Sequence, residues 1–289
     1  TMEFKLNEDQ QLMKDMFVEF TEQFVKPIAA ELDEQERFPE ELIPQLGETG
    51  LLGIPVAEEY GGAGADNMSY VLAVEEVSKA CASTGVTISA HTSLCCWPIE
   101  AFGTEEQKQK YLPDLASGEK LGAFGLTEPG AGTDAQGVQT KAVQDEATGE
   151  WILNGSKCFI TNGKVADVYI IIAYTDVIED KRGRKVKKFS AFIVEKGTPG
   201  FSFGTKEKKM GIRGSSTYEL KNPCRFYARC KRKRIPNCNA YFGWWSYWYR
   251  FPGTWSCRGC TGENNRVHKG KKTVWPYNRS AAEYTVPAC

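Results

Sequence analysis

Between Leu6 and Leu32 the apolar residues Met13, Met16, Phe17, Phe20, Phe24 and Val25 recur at the spacing of one helical face, with Pro27 at the first break. A second helix is expected over residues 39–48, stopped by Gly50 and Gly53, and Tyr60-Gly61-Gly62-Ala63-Gly64 has the composition of a turn. Helical periodicity returns over 68–82, 87–102 and 104–115. Thr104, with Gln107 three residues on, has the form of a capping box at the start of the last of these. From Lys120 the period shortens to that of strands, over 121–126, 138–144, 150–154, 168–174, 189–194 and 217–220. Residues 145–149 separate two of those strands at hairpin distance, and Asn154-Gly155 is a second turn signal. The pattern predicts an α+β chain of several domains. An all-α N-terminal domain spans 1–118, a β-barrel-like middle domain spans 119–222, and residues 223–289 follow no period at all.

Composition sharpens that last division. Residues 221–289 hold fourteen Lys and Arg against two Glu and no Asp, so the overall charge of −1 hides an acidic body and a strongly basic tail. The tail has no Leu and no Met, one Ile (Ile235), five of the seven Trp and six of the ten Cys. It is therefore expected to be non-native and disordered, because it cannot bury enough apolar surface to offset its ordering entropy. Elsewhere the balance is ordinary. There is no run of eighteen apolar residues and the first eleven residues are polar and acidic, so neither a membrane span nor a secretory signal is expected. Cys81, Cys95, Cys96 and Cys158 are normal usage for a reducing compartment, and a cytoplasmic location follows.

Candidate chemistry concentrates where the first strand runs into a loop, Phe124-Gly125-Leu126-Thr127-Glu128-Pro129-Gly130-Ala131-Gly132-Thr133-Asp134. Glycine lets a planar or anionic ligand approach the backbone, although a Gly-rich turn taken alone is more often structural. About thirty residues on stands Phe159-Ile160-Thr161-Asn162-Gly163. His91 is a lone histidine and reads as packed or solvated, Cys95-Cys96 as core, and Lys181 to Lys188 as a solvated loop.

These two strings resemble the flavin-contacting signatures of the acyl-CoA dehydrogenases, and residues 6–220 as a whole are similar to that family. The similarity includes Leu52-Gly53-Ile54-Pro55, Glu59-Tyr60-Gly61-Gly62, Phe102-Gly103-Thr104-Glu105-Glu106-Gln107-Lys108 and Met210-Gly211-Ile212-Arg213-Gly214-Ser215. The resemblance implies FAD held along Phe124, Gly125, Leu126, Thr127, Glu128, Pro129, Gly130, Ala131, Gly132 and Thr133, with Phe159, Ile160 and Thr161 as the second contact. Thr133 would also face the acyl-CoA substrate, and the Thr161 hydroxyl would point to the reactive edge of the isoalloxazine. Phe159 stands where many relatives have Trp, a mild departure. The implied reaction, part of fatty acid metabolism, is α,β-dehydrogenation of a short-chain acyl-CoA thioester, butyryl-type, with hydride transfer to FAD. The implied partners are an electron-transferring flavoprotein and the other subunits of a homotetramer. Glu128 belongs to the loop scaffold. The family's catalytic glutamate lies in a C-terminal helical domain that this chain does not show, so no catalytic residue is assigned here and the chain is expected to be inactive.

Two functional accounts of the tail compete with loss of that helical domain. A basic, aromatic stretch could bind nucleic acid, and Cys257-x-x-Cys260 with Cys224, Cys230 and Cys238 could bind zinc. A zinc site needs a second close pair or a His at ligand spacing, and His268 is the lone candidate, so neither a metal nor a nucleic-acid partner is assigned. A frameshift explains more. Trp has the single codon TGG, which read one base later becomes GGN, glycine, so Trp244, Trp245, Trp248, Trp255 and Trp275 all become glycine. Residues 239–260 are then compatible with a string resembling the start of the family's C-terminal helical domain. The slip falls between Leu220 and Tyr227. Reading the coding DNA one base later beyond codon 226 is expected to give an open frame to a family-like end, and a stop codon within a few residues would overturn the frameshift.

Overall fold

A computed structural model describes residues 5–179, 182–220, 228–230 and 234–235. Helix α1 (Glu8–Phe20) opens with a capping box in which Asn7 accepts from the Gln10 amide and Gln10 accepts in return. The single helix expected to Leu32 is divided. Phe20 gives way to a π-helical turn, Thr21–Val25, then a 3-10 turn, Lys26–Ile28, that accommodates Pro27 without its missing N–H. The chain then continues through α2 (Ala29–Glu34), α3 (Leu42–Glu48), α4 (Asn67–Ala80) and α5 (Ala82–His91). A second π turn, Thr92–Cys96, leads to α6 (Trp97–Phe102) and α7 (Glu105–Ala116), which carries the expected Thr104–Gln107 capping box.

The helices close on a core of Phe17, Phe20, Leu32, Leu46, Leu52, Tyr70, Val77 and Ile88. Losing one of the fully buried leucines of this core would cost about 2–5 kcal/mol.

The middle domain is built of strands, in two sheets rather than one closed barrel. In the larger, β1 (Gly122–Gly125) and β2 (Lys141–Gln144) lie parallel against β5 (Val168–Glu179). β3 (Trp151–Asn154) pairs with β2, and β6 (Lys185–Glu195) with β5, both antiparallel. The smaller sheet orders β4 (Lys157–Thr161), β8 (Thr217–Leu220) and β7 (Phe203–Lys206). Beyond residue 222, β9 (Ala228–Cys230) pairs with β3 and β10 (Arg234–Ile235) with β6, supplying a strand to each edge of the larger sheet. The expectations for the rest of 223–289, including its disorder and its cysteines, lie outside the described residues.

Three strand expectations are corrected. β4 and β7 were not legible as strands, because a register shift between Lys157 and Ile160 and another between Phe203 and Lys206 break the alternation. The basic run taken for a solvated loop is in part strand: β6 begins at Lys185, and Lys187 Nζ donates to Val138 O (2.7 Å).

The two domains meet at a buried polar seam. His91, at the end of α5, accepts from the Gly122 amide on Nδ1 (2.9 Å), and its Nε2 lies 3.1 Å from Leu115 O. That carbonyl can only accept, so the Nε2-protonated tautomer is fixed. Burial pushes His91 down to about 4, against the pull of the Leu115 carbonyl. Asn162 Nδ2 donates to Thr87 O (3.2 Å) and Gly122 O (3.0 Å), closing the seam from the β side. Because the folded state keeps His91 neutral, its contribution is complete above the ordinary value of 6.5 and is lost as pH falls from there toward 4. Urea titrations at pH 7 and pH 4 should therefore differ by about 3 kcal/mol more in the wild-type chain than in His91→Gln, which keeps a donor and an acceptor without titrating. Equal pH slopes for the two proteins would refute this.

Candidate flavin site

Strand β1 is buried along its whole length, as a strand between helices and sheet must be, and it delivers Phe124 and Leu126 to the edge of the seam. The chain then turns tightly. The Glu128 amide donates to Ala131 O and the Ala131 amide to Glu128 O, leaving Pro129 and Gly130 exposed at the tip. β4 approaches from the other sheet, tied to the loop by the Cys158 amide, which donates to Thr127 O (2.9 Å).

The two segments meet in a shallow crevice lined by Phe124, Leu126, Thr127, Phe159, Ile160 and Thr161, with Ala90 and Leu94 from the helical domain. The structure thus brings together six of the residues singled out from sequence. It leaves Gly125, Glu128, Pro129, Gly130, Ala131, Gly132 and Thr133 off the lining, Thr133 being exposed and Glu128 and Ala131 buried within the loop. Ala90 and Leu94 carried no functional signal in the sequence. Small and aliphatic residues on a buried helix are indistinguishable from core until the partner surface is known.

Three features fit a planar ligand that the chain does not itself supply. Phe159 is 61% exposed although it belongs to a strand, and its backbone sits in the left-handed region (φ 59°), where an aromatic residue is strained. An added Cβ at Gly130 or Gly132 would meet open space, and neither has a left-handed φ, so nothing within the described fold demands glycine at either position. The lining side chains are all apolar apart from Thr127 and Thr161, a combination suited to a ring system with a polar edge.

Glu128 is buried and accepts from the Gln139 and Thr140 amides, the Thr140 hydroxyl and Lys157. Burial opposes its ionisation, but the Lys157 charge and these bonds outweigh it and hold the carboxyl below its ordinary range. Lys157 is pulled by burial down to about 8, with Glu128 opposing. His91 and the Cys95-Cys96 pair are buried core, as expected; burial pushes the Cys95 thiol up to about 12 and that of Cys96 well above its usual value. A larger cavity, about 620 Å³, opens between the domains at Glu36, Arg37, Lys164, Lys196 and Lys206. Its charges are largely satisfied: Lys206 donates to Glu36 O, and Arg37 pairs with Glu31 and Glu41. We place the site at the smaller crevice, where strain and exposed aromatic surface coincide.

Comparison with known proteins identifies the two domains. Residues 7–119 match the acyl-CoA dehydrogenase N-terminal domain and residues 123–222 the acyl-CoA dehydrogenase middle domain. The chain belongs to the acyl-CoA dehydrogenase family. Over 219 residues it is 57% identical to the short-chain specific acyl-CoA dehydrogenase of Clostridium acetobutylicum, covering 76% of this chain and 56% of that protein. A chain in a solved structure described as the electron transferring flavoprotein of Acidaminococcus fermentans is 51% identical, with a TM-score of 0.70 over 80% of this chain and 60% of its own. An acyl-CoA dehydrogenase complexed with FAD from Bacillus anthracis is 40% identical, with a TM-score of 0.72 over 81% of this chain and 39% of its own. The chain spans about half the length of the curated relatives it matches.

In this acyl-CoA dehydrogenase chain the strain at Phe159 can be separated from its use. Phe159→Gly should raise unfolding stability by about 1 kcal/mol, since glycine adopts left-handed backbone freely, while weakening FAD uptake. Calorimetry alongside a flavin titration checks both, and a variant that binds FAD as well as wild type would show that the ring is not part of the site.

Proposed function

We propose that the whole protein is a short-chain acyl-CoA dehydrogenase, taking an acyl-CoA thioester of butyryl type and passing electrons to an electron-transferring flavoprotein, as a cytoplasmic homotetramer. The observation that carries this is the meeting of Thr127, Phe159 and Thr161 with Ala90 and Leu94 in one crevice. Support for short-chain substrates comes from the identity to the Clostridium relative, and for the flavoprotein partner from the Acidaminococcus structure. Cys81, Cys95, Cys96 and Cys158 are free and buried, and no described helix is long and apolar enough to cross a membrane, both compatible with the proposed setting.

The residues present fit FAD and divide its contacts. Phe159 offers a ring for stacking, reduced in area from the Trp of many relatives, and Thr127 and Thr161 offer hydroxyls to the polar edge of the isoalloxazine. When bound, FAD supplies the acceptor for the hydride leaving the β carbon. Thr133, on the exposed side of the loop, is assigned to the acyl-CoA side, with Gly130, Ala131 and Gly132 forming the loop's outer path.

No carboxylate lines the crevice, so removal of the α proton needs a group other than those that line it. A positioned general base is worth on the order of 10²–10⁴ in rate. We therefore expect the chain with its present tail to purify without flavin, to take up added FAD weakly, and to show no butyryl-CoA oxidation. The product of the gene restored by one base should purify yellow and reduce a dye acceptor with butyryl-CoA. Stoichiometric flavin and turnover from the present chain would overturn the missing-base account, and a colourless restored protein would overturn the flavin assignment.

A further inference from the structure

Two buried charges lie close behind the crevice without lining it. Lys157 stands on β4 two residues before Phe159, and Glu128 lies in the loop that follows β1. Lys157 Nζ donates to Glu128 Oε1 (2.8 Å) and to Leu126 O (3.0 Å). Glu128 in turn accepts from the Gln139 amide (2.6 Å), the Thr140 amide (2.9 Å) and the Thr140 hydroxyl. One ion pair thus grips three separate segments: the loop at 126–128, the approach to β2, and β4.

The physical consequence concerns movement more than stability. A buried ion pair is seldom more stabilising than a well-packed apolar pair, but separating it leaves an uncompensated charge away from water. Loop and strand therefore shift together or not at all. Thr127 stands beside Glu128 in the chain, and Phe159 and Thr161 are two and four residues from Lys157, so the pair sets the distance between the two hydroxyls and the ring. Preorganisation of this kind reduces what a ligand must order on binding.

We propose that Lys157 and Glu128 are a positioning pair that holds Thr127 and the Phe159–Thr161 stretch as one flavin-facing unit, an inference that rests on the flavin assignment above. The test uses the full chain and three variants: Glu128→Gln, Lys157→Met, and the double variant Lys157→Met with Glu128→Leu. Amide exchange is followed in peptides covering 124–140 and 157–163, with α1 and α4 peptides as internal reference, and FAD affinity is measured by flavin fluorescence titration.

Both single variants should exchange at least about tenfold faster in the two segments, with the reference peptides unchanged, and bind FAD about tenfold more weakly. The double variant carries no unpaired charge, so it should melt above either single variant. Its Gln139 and Thr140 amides lose their acceptor, so fast exchange and weak FAD binding should persist in it. Recovery of exchange and FAD affinity together with melting temperature in the double variant would show a purely structural pair and overturn the proposal, as would unchanged exchange in the single variants. If the segments loosen as expected but wild type takes up no FAD at any concentration, the pair positions the loop as proposed and it is the flavin assignment that fails.

Discussion

At Gly122 the backbone of β1 lies directly against the helical domain, with no room for a side chain. A Cβ there would come within 2.5 Å of Cys95 Cβ and 2.6 Å of its Sγ. This close approach lets the Gly122 amide reach His91 and its carbonyl reach Asn162, so one residue receives α5 through its N–H and the end of β4 through its C=O. The crevice inherits its geometry from that point. Phe124, Leu126 and Thr127 follow Gly122 along β1 and the loop after it, Phe159 to Thr161 immediately precede Asn162, and Ala90 and Leu94 flank His91. Every part of the lining is within a few residues of an atom bonded at or next to the seam. Any side chain at 122 would part the domains and displace all three contributions together.

The seam also decides which interdomain contacts matter energetically. Arg213 makes a good pair with Asp33, through its backbone amide (3.1 Å) and its guanidinium (2.9 and 2.6 Å), joining the loop before β8 to α2. The hydrogen bond to Arg213 holds the Asp33 carboxyl below its ordinary range. Both side chains remain more than a third exposed, however, and exposed pairs contribute about 0–1 kcal/mol. The His91 and Asn162 bonds are fully buried, where a lost partner leaves a polar group desolvated at about 1–3 kcal/mol each. Domain orientation is therefore held from within, and the surface pair serves mainly to limit the excursions of its own loop.

This distribution explains what could be seen in the sequence and what could not. The helices with a clear apolar face and a side-chain cap were legible, α7 with its Thr104–Gln107 box most clearly. So were the continuous apolar stretches of β5 and β6, whose pairing buries them on both faces. β4 was not, because the residues that make it useful break its pattern: a lysine where a buried strand should be apolar, and an exposed phenylalanine with left-handed backbone between two buried neighbours. The two signature strings were recognisable by resemblance, which also put Glu128 in the loop scaffold; the structure agrees in burying Glu128 while the adjacent Thr127 lines the crevice. Ala90 and Leu94 had no signal at all, because a helix surface that lines a ligand crevice and one that packs on a neighbouring strand have the same composition.

The chemical character of the lining sets a limit on what these two domains can do by themselves. Apolar surface with two hydroxyls can hold an aromatic ring, fix its orientation and keep water from one face, and none of these needs a charge in the crevice. The two nearest charges are bound to each other and to backbone, so neither is available to a substrate. On the proposed reading, the group removing a proton belongs to a different structural element. On that reading, binding and orientation fall to the β1 loop and β4, and turnover to an element outside them. Substitutions at Lys157 or Glu128 should alter the first without supplying or removing the second.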